Sequence, residues 1–195
     1  MRVGIMLFEQ VEVLDFAGPY EVLAGATHQG QPLFEVVTVA MSNDVICRGG
    51  LKVTADYTFA DCPPFDLLLV PGGPGTRVSE AELAPLVDFV RSQAARVSYL
   101  ASVCTGAFLL ARAGLLDGRQ ATTHYARRQE LQDHFPQIKV VAERVVDEGD
   151  IVTAAGVSSG VHLALHLVER FGSQESAHLE QKRIEWPADQ GGCQV

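Results

Sequence analysis

In "YLASVCTGAFLLA", residues 99–111, a run that reads as a buried strand passes into an apolar helical pattern with Cys104 at the corner. Ser102 to Gly106 spell S-x-C-x-G, the form of a nucleophile elbow, in which the glycine lets a neighbouring element approach a sharp, strained turn. A helix opening at Thr105 would aim unpaired N–H groups and a partial positive charge at the sulfur, so the thiol pKa is expected to be lowered. The Thr105 N–H would point at whatever the sulfur attacks. The chemistry on offer is covalent addition of a thiolate to an electrophilic carbon. A free cysteine at a strand end can equally be a small buried hydrophobe, so its neighbours must decide.

Two other stretches supply those neighbours. "LLLVPGGPGT" ends in Pro71-Gly72-Gly73-Pro74-Gly75, a loop whose glycines let backbone N–H groups come close to a reacting centre. It fits neither G-x-G-x-x-G nor G-x-x-x-x-G-K-[ST], so nucleotide binding is not expected. Gly72 and Gly73 are candidate substrate-binding positions, and the Gly73 N–H with that of Thr105 would make a two-donor oxyanion hole. In "VEVLDFAGPYEVL", Asp15 lies between Leu14 and Phe16, where an ionised carboxylate is costly without a partner. Such a carboxyl tends to a raised pKa and, near a sulfur, can donate or take a proton. Its plainer role would be to cap a helix that begins near Gly18.

Other reactive residues carry less. Cys47, Cys62 and Cys193 are scattered, with no C-x-x-C pair, so neither a zinc site nor a dithiol is suggested. His162 and His166 share a helix face at i, i+4, with Glu169 following, a spacing that could bind metal. The stretch "VHLALHLV" is apolar and offers few further ligands, and no metal or other cofactor is expected. His124, in "ATTHY" at the end of a strand, either lines a pocket, with a base role open to it, or is structural.

Positioning these residues requires strands and helices in alternation, and the chain has them. The strands expected are "RVGIMLF", "FEVVTVA", "FDLLLVPGG", "RVSYLASV" and "IVTAAG", whose nearly continuous hydrophobicity fits strands covered on both faces. Helices should start near Gly18, Ser79, Thr105, Ala126 and Ser158, with Ser79 and Glu82 forming a capping box. "VICRGGLKVTADYTF" reads as a β-hairpin insertion, "KVVAERVVDEGDIVTAA" as another turning at Glu148-Gly149, and "KRIEW" as packing a terminal helix against the body. The fold class is therefore α/β: one doubly wound, mostly parallel sheet with helices on both faces, over residues 1–195. Its ligand should lie beyond the carboxyl ends of the strands, where Cys104 falls.

Bulk properties agree. A chain of 195 residues, 47% hydrophobic, can bury a sufficient core without disulfides or metal. A net charge of −9 with no run of Lys or Arg argues against nucleic acid or an anionic membrane as partner. No apolar run approaches the roughly 18 residues that span a bilayer, and "MRVGIMLF" lacks the build of a signal peptide, so a cytoplasmic location is expected.

Taken together, "VLDFAGPYEVL", "LLLVPGGPGT", "SVCTGAFLLARAGLLDGRQATTHY" and "TAAGVSSGVHLALHLVERF" resemble the ThiJ/PfpI superfamily, and within it the isonitrile hydratase branch, in order from Met1 to about Trp186. A related module forms the amino-terminal half of AraC-type transcription regulators. The resemblance implies a flavodoxin-like sandwich, usually a homodimer with its pockets near the subunit interface. By position it implies that Cys104 is the nucleophile, Asp15 the carboxyl partner of its sulfur, Thr105 the residue that follows the nucleophile in the hydratases, and Gly73 the loop amide. PfpI-type proteases are expected to have His directly after the cysteine. Thr105 stands there, which puts peptide hydrolysis in doubt.

The reading reached is hydration of an isonitrile to an N-formamide, with Cys104 adding to the terminal carbon, Asp15 moving the proton and water resolving the thioimidate. The substrate would be a small electrophile. Three readings compete: a glyoxalase or deglycase acting on 2-oxoaldehydes with a base such as His124, a ligand-sensing module, and a redox sensor built on an oxidisable thiolate. The sensing module is disfavoured by the absence of a helix-turn-helix region and of a basic surface after "FGSQES".

Overall fold

The computed structural model describes residues 1–187 of the chain; Cys193 lies outside them. Seven strands make the central sheet: β1 (Arg2–Leu7), β2 (Glu35–Ala40), β3 (Tyr57–Thr58), β4 (Leu67–Val70), β5 (Tyr99–Val103), β6 (Val145–Asp147) and β7 (Ile151–Ala154). Their order across the sheet is β6-β7-β5-β4-β1-β2-β3. All neighbours are parallel except β6 and β7, the antiparallel hairpin that turns at Glu148-Gly149. Every residue of β4 and β7 is buried, as are all but the first of β1 and β5, which is why these segments are apolar throughout rather than alternating. The five strands read from the sequence are all present.

Helices α1 (Val13–Gly25), α5 (Ser159–Phe171) and α6 (Gln174–Arg183) pack on one another, and α2 (Glu80–Ala94) packs on α3 (Gly106–Arg112). A short α4 (Arg128–His134) follows a 3-10 turn at Tyr125–Arg127. The capping box of α2 forms as expected, with the Glu82 N–H donating to Ser79 Oγ and the Glu82 carboxylate accepting from the Ser79 N–H. Ile184 and Trp186 are partly buried against the core, so "KRIEW" does pack the last helix among the described residues onto the body.

Two elements differ from the expectation. Helix α1 begins at Val13, not near Gly18 as expected, although proline is favoured in a helix's first turn. Pro19 instead lies inside the helix, its ring 3.1 Å from the position a Cβ on Gly160 of α5 would take. The consequence is that Asp15 occupies the first turn of α1, fully buried, rather than a surface cap. The second difference concerns strand ends. Tyr57–Thr58 leaves the Asp44–Ile46/Lys52–Thr54 hairpin to join the main sheet beside β2, and Lys139–Val140 pairs with Gln120–Ala121 rather than extending the β6 arm of its hairpin. Short two-residue ladders of this kind carry no periodicity to read.

Loss of the α2 cap should be felt in stability alone. Ser79→Ala is expected to cost about 1 kcal/mol, a fall of about 2–4 °C in Tm for a chain of this size; a calorimetric scan of the variant checks this.

Candidate functional site

The carboxyl ends of β1, β4, β5 and β7 converge on one small cleft of about 190 Å³, lined among others by Gly73, Cys104, Thr105, His124 and Val157. Cys104 follows β5 directly and takes a φ of +56°, the left-handed region that non-glycine residues rarely adopt. Its backbone is held from two sides. The Cys104 N–H donates to the Ala155 carbonyl at 2.8 Å, and its carbonyl accepts the Thr123 hydroxyl at 2.7 Å. Gly106 completes the elbow, since a Cβ there would sit 2.1 Å from the Val70 carbonyl oxygen at the end of β4. Such strain persists only where surrounding contacts over-determine it, and it turns the sulfur out of the strand toward the cleft.

Asp15 reaches the same place from α1. Its Oδ2 accepts the Gly72 N–H at 2.9 Å and its Oδ1 has no hydrogen-bond partner, while the carboxyl lies close enough to the Cys104 thiol that the two shift each other's titration. Gly72 has to be a glycine for this approach: a Cβ would lie 2.5 Å from the Thr105 nitrogen and 2.9 Å from Asp15 Oδ2. Burial is the largest influence on both acids. It raises the Asp15 carboxyl from 3.8 to about 7, against the opposing pull of the Gly72 N–H and the thiol. It also pushes the Cys104 thiol up to about 12, helped by the charge of Asp15, although the N–H groups of Val157 and Thr105 face the sulfur and favour the anion. This corrects the expectation of a lowered thiol pKa. Two amides, one at the start of α3 and one in the loop after β7, do not outweigh loss of water and a nearby carboxylate. The resting pair is thus a neutral thiol beside a carboxyl that is half ionised near neutrality.

The loop glycines are used differently from the expected oxyanion hole. The Gly73 N–H donates to Thr105 Oγ1 at 3.0 Å, and the same oxygen accepts the Thr76 hydroxyl at 2.8 Å. Turned this way, the Thr105 side chain occupies the space that a substrate atom would need to reach the Gly73 amide. The two N–H groups at the sulfur belong to Thr105 and Val157. Val157 was not singled out in the sequence; its φ of +31° and its place just after β7, the strand beside β5, are what bring its amide there. The only signal available was the topological rule that loops at adjacent strand ends meet.

His124 does line the cleft, at the N-cap of the 3-10 turn, where its Nδ1 accepts the Ala126 N–H at 3.3 Å. Its pKa is lowered by burial and by Arg127, Arg77 and Arg128. A neutral ring that accepts at Nδ1 carries its proton on Nε2, so it can offer a donor there and not a base. Cleft residues that the sequence did not reveal include Glu12 and Arg48, paired to each other, and Arg77 and Arg127. Arg48 is delivered by the Asp44–Ile46/Lys52–Thr54 hairpin, whose connection is stitched to the end of the β1 loop by an Arg48 N–H to Val11 carbonyl hydrogen bond of 2.9 Å. Of the i, i+4 histidines, His166 is engaged in an ion pair. His166 Nε2 lies 2.7 Å from Asp147 Oδ2, which Arg170 also engages at 3.0 Å, joining α5 to β6. Among the described residues no group of three or more His, Cys, Asp or Glu side chains is placed to hold a metal ion, and no helix is long and apolar enough to cross a membrane.

A buried acid with a raised pKa leaves a signature in stability. Asp15 binds its proton more tightly folded than unfolded, so the stability it confers is full below about pH 3.8 and is lost as pH rises to about 7. Asp15→Asn has no proton to lose. The Tm of Asp15→Asn minus that of the parent should therefore climb across that interval and level off above it; a difference that is flat with pH would contradict the raised pKa.

The DJ-1/PfpI family profile matches residues 1–170. Isonitrile hydratase from Pseudomonas putida is 38% identical over a 199-residue alignment that spans 98% of this chain and 82% of that protein. The HTH-type transcriptional regulator GbdR of Pseudomonas aeruginosa is 28% identical over 93% of this chain, which spans 50% of the regulator's length. A crystal structure of a ThiJ/PfpI family protein from Pseudomonas syringae superposes with a TM-score of 0.82 at 28% identity, covering 98% of this chain and 77% of that one. With a match running along nearly the whole sequence and a sheet of the same build beneath it, this chain belongs to the DJ-1/PfpI family.

Proposed function

We propose that the protein is a cysteine-dependent hydratase of small isonitriles, acting through Cys104 and Asp15. The observation that carries the reading is the closeness of a neutral thiol and a half-ionised carboxyl at one buried elbow that opens on a cleft of about 190 Å³. The likeness to an isonitrile hydratase over 98% of the chain supports the choice of electrophile.

In the first step the Asp15 carboxylate takes the thiol proton as Sγ of Cys104 bonds to the terminal isonitrile carbon, and returns that proton to the same carbon. The product is a thioformimidate, Cys–S–CH=N–R. Negative charge developing on sulfur is met by the N–H groups of Thr105 and Val157. Water then adds across the C=N bond with its proton passed to nitrogen, and the tetrahedral adduct expels the thiol to leave the N-formamide. The sum is one isonitrile plus one water. The covalent intermediate divides a slow hydration into two easier steps. A thiol that starts neutral does not hinder this scheme, because the base lies close to it and removes the proton only as the bond forms.

The competing readings draw less support from the cleft. A 2-oxoaldehyde enzyme that used His124 as base meets a ring already accepting at Nδ1 and shielded from protonation by three arginines. A thiol raised to about 12 is a poor first target for oxidation, which weakens a redox sensor. A ligand-sensing role without turnover is favoured by the likeness to GbdR, and turnover separates it from catalysis.

Cys104→Ala should reduce isonitrile hydration to background and Asp15→Asn should lower kcat/KM by about 10²–10⁴-fold; full activity in Cys104→Ala would end the proposal. With Asp15 as the base, kcat/KM of the parent should rise with pH through a midpoint near 7, and this limb should vanish in Asp15→Asn. A pH–rate profile of both proteins reads it directly.

A further inference from the structure

The charge of the cleft runs against the charge of the molecule. The chain carries a net −9, yet the charged side chains lining the cleft are Arg48, Arg77, Arg127 and a single carboxylate, Glu12. Glu12 is used up by its ion pair with Arg48, and Arg127 is held by Glu130 at 2.7 Å. Arg77 is exposed and makes no ion pair or side-chain hydrogen bond among the described residues. It follows the Pro74–Thr76 turn, whose own backbone bonds fix where it leaves the loop: the Thr76 N–H donates to the Gly73 carbonyl and the Arg77 N–H to the Pro74 carbonyl at 2.9 Å. The cationic field is felt within the cleft, since Arg127, Arg77 and Arg128 all add to the effect of burial in disfavouring protonation of His124. An exposed guanidinium without an ion-pair partner among the described residues, lining the same small cleft as Cys104, is suited to a carboxylate, which it can take in two parallel hydrogen bonds.

We infer that the cleft selects small substrates that carry a carboxylate, with Arg77 holding the anionic end while the electrophilic carbon lies on Cys104. The chemical class, resting on the hydratase reading above, is an isonitrile with a carboxylate one or two carbons away. A volume of about 190 Å³ leaves room for such a molecule and little else. Arg77 acts here as a specificity residue: it adds binding energy to the anion and takes no part in proton transfer.

Two measurements test this independently of each other. In the first, Cys104 is alkylated with iodoacetate or with iodoacetamide under one set of conditions, in each case by sulfur displacing iodide, and the modified peptide is followed by mass spectrometry. The iodoacetate-to-iodoacetamide rate ratio at Cys104 should exceed that of N-acetylcysteine by about tenfold, in line with electrostatic steering, and shrink with salt. Arg77→Gln, a change at an exposed side chain, should bring the ratio back to that of the free thiol. A ratio no higher than that of N-acetylcysteine, or one untouched by Arg77→Gln, overturns the inference. In the second, kcat/KM is compared for isocyanoacetate and its methyl ester. A preference for the acid that disappears in Arg77→Gln supports the carboxylate site. Equal turnover of both leaves the hydratase and removes the carboxylate site. No turnover of either, with a high alkylation ratio, removes the hydratase and leaves the anion site standing.

Discussion

A carboxyl and a thiol close together, both shut away from water, cannot both be ionised, and the site is organised around that constraint. Each anion would raise the other's pKa, and burial opposes both. Near neutrality the pair therefore holds more proton than it would in water, the thiol neutral and the carboxyl half protonated. Ionised Asp15 costs stability, since its charge is formed against desolvation. Everything around the pair serves to keep it in place: the Gly72 amide on one carboxyl oxygen, the Thr105 and Val157 amides on the sulfur, and a backbone turn at Cys104 that no ordinary strand would adopt.

That constraint also explains why the glycine loop is not a free oxyanion hole. Its two amides are already at work, Gly72 on Asp15 and Gly73 on the Thr105 hydroxyl, so the loop positions the acid and the residue after the nucleophile instead of the substrate. The amides that face the sulfur are instead those of Thr105 and Val157. In the isonitrile addition proposed above, charge passes from sulfur to the attacked carbon rather than to an oxygen, so donors for an oxyanion are needed less than in acyl transfer.

The strands and the elbow could be read from the chain because their signals are local. Runs such as "LLLV" and "YLASV" are apolar throughout, so they belong to a sheet covered on both faces, and S-x-C-x-G marks a turn whose glycine meets the neighbouring strand. The start of α1 lies earlier than expected, and its proline, usually a first-turn residue, here lies further in, against Gly160 of α5. Val157, Arg48 and Arg77 could not be read at all, because each reaches the cleft from a different loop and none sits in a pattern of its own.

By itself the sequence determined the alternation of strand and helix, the position of Cys104 at a strand end and the presence of one acidic residue inside an apolar run, all of which follow from short-range periodicity and side-chain type. Only the tertiary structure decided that Asp15 lies close to the sulfur, that the thiol rests protonated rather than ionised, that Thr105 takes the Gly73 amide, and that an acidic molecule has a cationic cleft. The reason is physical. Propensity and pattern act over a few residues, whereas desolvation and electrostatic fields depend on which distant segments share a few ångströms of space, and strand order, not chain order, decides that.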